Sequence, residues 1–337
     1  MKNPAHDLPF PAAIADIGGT NARFQIVEED RARTSEPLTL AVADWPTLED
    51  ALLEVRRLSG VDFASIIIAA AGPITEDGLD FTNSHWSITP QQVFDRTNVK
   101  YVLLFNDFEA QALALAALGE DDLHPVGGGE RLHECTRVVL GPGTGLGVGS
   151  LVRGAGSWIT VPGEGGHVDL GPRNHNEEEI WSHLHKIEGR VSAEEVLSGR
   201  GFLNLYQAVC AANGAEPASS DPDEIGAGAL SGSDSLAVET LNLFLTCLGR
   251  VAGDLALTFM AQGGVYIAGG IAGRYLSAFE RSGFRAAFED KAPHGALLKS
   301  ISTVVVTHPF AALEGLAAFA KSPDSFELGP TKRSWVA

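Results

Sequence analysis

Asn106 and Asp107 follow the apolar run Tyr101 to Phe105 and precede an Ala- and Leu-rich stretch, so they fall where a strand becomes a helix. Ligands of α/β proteins bind at such carboxyl ends of strands. An aspartate there can act as a general base, and the amide beside it can hydrogen-bond a substrate. The step from Asn106 to Glu109 equally matches a helix N-cap with an acidic residue reaching back. Both readings can hold, with Asn106 capping while Asp107 faces a ligand. The segment PGEGGH, Pro162 to His167, sets Glu164 and His167 three residues apart in a glycine-walled loop. It reads either as a solvated turn or as a loop folding both side chains onto one ligand. Near it, Ser192 followed by Glu195 reads as a capping box, which leaves Glu194 available for another role. Three carboxylates, an amide and an imidazole among glycine loops suit a polyol such as a sugar, because each can hydrogen-bond hydroxyl groups.

A glycine-rich hairpin signature occurs twice, as Ala15-Asp16-Ile17-Gly18-Gly19-Thr20 and as Gly141-Pro142-Gly143-Thr144-Gly145. Each follows a short apolar strand and leads into another. Glycines that reach φ > 0 free N–H groups to cradle phosphate oxygens, although a tight hairpin uses glycine for shape alone. Two copies imply two half-sites meeting across a cleft. Asp16 beside the first turn can hold hydrated Mg²⁺ or serve as an Asx-type turn residue. The spacing of His175, His183 and His185 matches no zinc pattern.

The elements that must position these residues follow from the apolar pattern. Strands are expected over 14–17, 23–27, 65–71 and 101–105, the run SIIIAAA being apolar as a strand covered on both faces is. Helices are expected over 107–118, 177–187, 193–197, 202–212, 235–262 and 311–320, and strands over 265–268 and 301–307. Gly249 and Gly253 have the spacing for close helix packing. The tail after Ser322 is expected to be loosely ordered. A chain of 337 residues with 45% hydrophobic and 20% charged residues is a globular protein of one large or two ordinary domains. Its net charge of −19 argues against nucleic acid and anionic membranes as partners. Three cysteines without metal spacing suit a reducing cytosol. No signal peptide and no apolar run of membrane-spanning length stands out, so a cytoplasmic protein is expected.

The segments ADIGGTNARF, AAAGPI, FTNSHWSI, FNDFEAQALA, GPGTGLGVG, PGEGGHVDLGP, RVSAEEVLSGRGFLNLY and VYIAGGI resemble, in this order, the ATP-dependent bacterial glucokinases of the proteobacterial type. The likeness runs from about Ala13 to Ser322. It implies a two-domain α/β chain with the actin-like ATPase (ribonuclease H-like) fold and an interdomain cleft. The small domain would comprise 1–106 plus about 309–337, and the large one 107–308. It further implies ATP and Mg²⁺ as cofactors, D-glucose as substrate, a homodimer and a place in glycolysis. By this resemblance Asp107 becomes the general base on the sugar's 6-hydroxyl. Asn106, Glu164, His167 and Glu194 become the remaining sugar contacts. Ala15, Asp16, Ile17, Gly18, Gly19 and Thr20 become a phosphate turn, as do Gly143, Thr144 and Gly145. Gly269 and Gly270 would lie against the adenosine, and Asp16 would hold Mg²⁺ through water. Ala15 and Pro142 depart from the family's usual glycine and small residue, which alters turn geometry and removes no reactive side chain. The related repressor, open-reading-frame and kinase group carries a cysteine-rich zinc motif that this chain lacks. The competing expectations are a non-catalytic sugar sensor and a kinase for another hexose.

Overall fold

The computed structural model describes residues 8–30, 34–81, 84–154, 156–329 and 332–337. Residues 1–7 and Thr82 and Asn83 of the FTNSHWSI segment lie outside them. The chain forms two compact units. The first comprises Met1–Gly119, Leu151–Pro162 and His308–Ala337, the second Glu120–Ser150 and Gly163–Thr307. Residues 107–119 and 151–162 therefore group with the first unit, where the sequence reading placed them in the second.

In the first unit a six-stranded sheet is ordered Ser334–Val336, Tyr101–Asn106, Ser65–Ala70, Ala12–Ile17, Asn21–Val27, Leu38–Ala41. The three central strands are parallel, with Ile17 level with Ala70 and Ala70 level with Asn106. Their carboxyl ends thus finish on one edge, and both candidate chemistries of this unit emerge from it. The central Ser65–Ala70 strand is buried throughout, as an uninterrupted apolar run requires. Helices Leu48–Ser59 and Pro90–Thr97 were not foreseen, although Thr47 caps the first and Pro90 opens the second. The tail is a correction: instead of lying loose, Ser334–Val336 pairs antiparallel with Tyr101–Leu103 and completes the sheet.

In the second unit Arg137–Pro142 pairs parallel with Val265–Ile267, which pairs parallel with Thr303–Val306, and Leu123–Gly127 runs antiparallel at that edge. The Ser235–Phe259 helix is the centre of the core, burying Phe244, Cys247 and Leu248 completely. By length and composition it could cross a membrane, contrary to the expectation that no run would, but most of it is buried inside the fold. Gly249 and Gly253 work as their spacing suggests. A Cβ on Gly249 would press into the Phe284 carbonyl, and one on Gly253 would stand 2.7 Å from the Phe288 carbonyl, so helix Phe284–Glu289 packs directly on the backbone. The helix expected over 193–197 is a single 3-10 turn, Ala193–Glu195.

Candidate functional site

In the first unit the Tyr101–Asn106 strand turns straight into the Asp107–Ala114 helix. Asn106 is the cap: its Oδ1 accepts from the amides of Phe108 at 2.9 Å and Glu109 at 3.3 Å. Asp107 is the first helical residue, and its Oδ1 also accepts from the Phe108 amide at 2.9 Å. An anionic side chain in the first turn is favoured by the helix dipole. Glu109 does not reach back as a capping box would. Its carboxylate is buried against Arg333 and Thr160 instead. Two strands away, on the same sheet edge, Ala15, Asp16 and Ile17 end the first strand, and Gly18, Gly19 and Thr20 form the turn. The Gly18 amide donates to the Asn21 carbonyl at 3.0 Å and closes the hairpin. Burial pushes the Asp16 carboxyl above its ordinary value, while Arg23 at 3.3 Å pulls the other way. A nearby cation is the kind of partner that would favour the ionised form. Among the described residues no group of three His, Cys, Asp or Glu side chains forms a metal cage. A lone carboxylate beside a glycine turn nonetheless has the chemistry to hold Mg²⁺, which keeps most of its waters.

In the second unit Gly143, Thr144 and Gly145 link the Arg137–Pro142 and Leu146–Arg153 strands, and the Gly143 amide donates to the Gly145 carbonyl at 2.8 Å. Gly18, Gly143 and Gly145 do not take the left-handed φ expected of them. At Gly145 the close neighbour is a side chain: a Cβ there would lie 2.5 Å from Glu194 Oε2 and displace that carboxylate. Glu194 Oε2 in turn accepts from the Leu146 amide at 2.9 Å, which pins the carboxylate to the second glycine turn. The PGEGGH loop arrives at the same strand. A Cβ on Gly166 would press into the Leu146 carbonyl, and one on Gly165 would stand 2.9 Å from Val148. The loop is also tied to the 3-10 turn by the Ala193 amide on the Val168 carbonyl at 2.8 Å. Glu164, His167 and Glu194 are thereby gathered around the start of one strand. His167 Nε2 lies 3.9 Å from Glu164 Oε2, and both side chains are exposed. The capping box predicted from Ser192 is absent. Ser192 makes no side-chain cap, and Glu195 pairs with Arg200 at 2.5 Å and His185 at 3.4 Å.

Gly269 and Gly270 follow the Val265–Ile267 strand, beside the second glycine turn. The Ala268 amide donates to the Leu140 carbonyl at 2.9 Å. Gly269 has φ of +88°, and a Cβ there would stand 2.7 Å from the Pro142 carbonyl. Sequence reading missed that Gly199 joins this cluster, its amide donating to the Gly143 carbonyl at 2.8 Å. The cue available was Ser198, which caps the Gly199–Ala212 helix through the Gly201 amide. Gly269→Ala is expected to destabilise the second unit by roughly 1–3 kcal/mol, because its backbone region is essentially glycine-only. Thermal unfolding of the variant beside the wild type checks this.

The model of the family described as Glucokinase matches residues 13–323. The chain belongs to the glucokinase family. A glucokinase of Rhizobium johnstonii is 51% identical over 335 residues, covering 99% of this chain and 98% of that one. One from Agrobacterium fabrum is 50% identical over 331 residues, covering 98% and 97%. Among solved structures, a glucokinase from an Antarctic psychrotroph superposes with a TM-score of 0.82 at 31% identity, covering 92% of this chain and 98% of that one. The two-domain α/β actin-like ATPase fold expected from the motifs is the fold of this family member.

Proposed function

We propose that the chain transfers the γ-phosphoryl group of ATP to the 6-hydroxyl of D-glucose, yielding glucose 6-phosphate for glycolysis. The observation that carries this reading is the position of Asp107, the first residue of a capped helix at the carboxyl edge of a parallel sheet, level with the Asp16–Thr20 turn. Asp107 orients the 6-hydroxyl and takes its proton late, as the bond from O6 to the γ-phosphorus forms and the bond to the β–γ bridging oxygen breaks. ADP leaves with that oxygen. Phosphoryl transfer runs through a loose transition state, so alignment and charge stabilisation do most of the catalysis.

Asn106, Glu164, His167 and Glu194 hold the sugar hydroxyls in this proposal. The turns at Ala15–Thr20 and Gly143–Gly145 receive the phosphates, and Gly269 and Gly270 flank the adenosine. Asp16 is the residue that would hold Mg²⁺ through water, and bound Mg²⁺ supplies charge neutralisation at the phosphates. The two compact units are taken as the two domains, and the enzyme as a cytoplasmic homodimer. The test is a coupled assay for hexose 6-phosphate with Mg²⁺-ATP and glucose, mannose, fructose and N-acetylglucosamine. A kcat/KM for glucose about tenfold or more above the other sugars is expected, since a site built to hydrogen-bond particular hydroxyls rejects a sugar that leaves a partner unpaired. Measurable glucose binding without turnover of any sugar would favour a sensor instead.

A further inference from the structure

Arg333 lies beyond the residues matched by the family model, yet it is almost fully buried beside the residues that carry Asp107. Its Nη1 donates to both carboxylate oxygens of Glu109 at 2.7 Å, and Thr160 Oγ1 donates to Glu109 Oε1 at 2.6 Å. Glu109 is 1% exposed, so this carboxylate depends on these partners for its charge. The same Glu109 carries one of the two amides that close the Asn106 cap. On the strand side, the Arg333 carbonyl accepts from the Leu104 amide at 2.9 Å, and its guanidinium carbon stands 5.7 Å from the centre of the Phe105 ring. One residue, immediately before the chain's last strand, thus grips both the strand before Asn106-Asp107 and the helix after it.

We infer that Arg333 is a positioning residue for Asp107, acting through Glu109 and the first turn of the helix; this rests on the proposed role of Asp107 as base. A helix needs only its cap to begin, and Asn106 supplies that. The buried two-oxygen ion pair adds a fixed height and rotation for the first turn. A general base loses much of its effect when displaced by a fraction of an ångström.

The experiment compares the full-length chain with R333M, R333K and E109M/R333M. Kinetics are measured well below each melting temperature, and amide hydrogen exchange is followed over residues 105–112. In R333M, kcat is expected to fall roughly ten- to a hundredfold with the KM for ATP nearly unchanged. The Phe108 and Glu109 amides are expected to exchange about tenfold faster. R333K should recover part of both. The double variant should regain melting temperature, because neither charge is left buried alone, without regaining kcat or slow exchange. Unchanged exchange and kcat in folded R333M would overturn the inference. So would full recovery of both by E109M/R333M, which would reduce the pair to packing. A wild-type chain that turns over no hexose would defeat the proposed function, while the exchange comparison would still decide whether Arg333 holds the cap.

Discussion

Asp107→Asn is expected to lower kcat by about 10²–10⁴-fold, the usual contribution of a positioned general base. Glucose affinity should change little, because the amide keeps the size of the carboxylate and can still hydrogen-bond a hydroxyl. Folding should be preserved, since Asn106 and not Asp107 supplies the cap to the Phe108 and Glu109 amides. The Phe108 amide, which donates to Asp107 Oδ1, can donate to the Asn Oδ1 instead. Kinetics with the coupled assay, calorimetric titration of glucose and circular dichroism separate these effects. A folded variant that keeps most of its turnover would mean that another group takes the proton. Asn106→Ala is a poorer probe of the chemistry. It removes the cap as well as the amide, at about 0.5–2 kcal/mol of stability, so a lost rate would have two causes.

Much of the framework was legible because its signals are local. SIIIAAA and YVLLF have the unbroken apolar character of strands covered on both faces, and they are adjacent parallel strands in register. Gly249 and Gly253 announced a helix crossing through their spacing. Asn106 announced its cap through residue type and position. Most of the misread features depend on partners beyond the reach of a local motif. Glu109 has the spacing of a capping box, but Arg333, 224 residues on, takes its carboxylate. Glu195 likewise goes to Arg200 and His185 rather than to Ser192. In each case a buried carboxylate takes a cationic partner, itself buried at Arg333 and half-exposed at Arg200, in place of the local hydrogen bond, and no period or motif encodes the choice. The tail escaped for the same reason, since three residues carry no strand signal until a sheet edge is there to pair with. Gly145 was read as a residue of special φ, whereas what it does is leave room for the Glu194 carboxylate from a distant segment.

Glu177→Met is expected to lower the melting temperature of the second unit by roughly 6–20 °C. Removing one partner of a buried ion pair costs about 3–5 kcal/mol, and each kcal/mol shifts a unit of this size by about 2–4 °C. Glu177 accepts from Arg250 at 2.8 and 2.5 Å, and the two side chains are 6% and 9% exposed. Methionine would leave the guanidinium charged and enclosed. The same carboxylate receives the Arg173 amide at 2.8 Å and Asn174 Nδ2 at 2.9 Å, so the turn that follows the Glu164–His167 loop also loses its anchor. A raised KM for glucose should therefore accompany the lost stability. Glu177→Met combined with Arg250→Met should recover most of the melting temperature, because replacing both charges by apolar groups is often neutral or better. The pair also sets the response to acid. Burial works to raise the Glu177 carboxyl, but the donors from Arg250, Arg173 and Asn174 outweigh it and leave it below its ordinary value. Its stabilisation is then fully present above the carboxyl's value in the unfolded chain and is lost as pH falls through the lower folded value. Melting curves taken across that acidic window should converge for wild type and Glu177→Met. Curves that stay parallel would show that Glu177 contributes no linked proton.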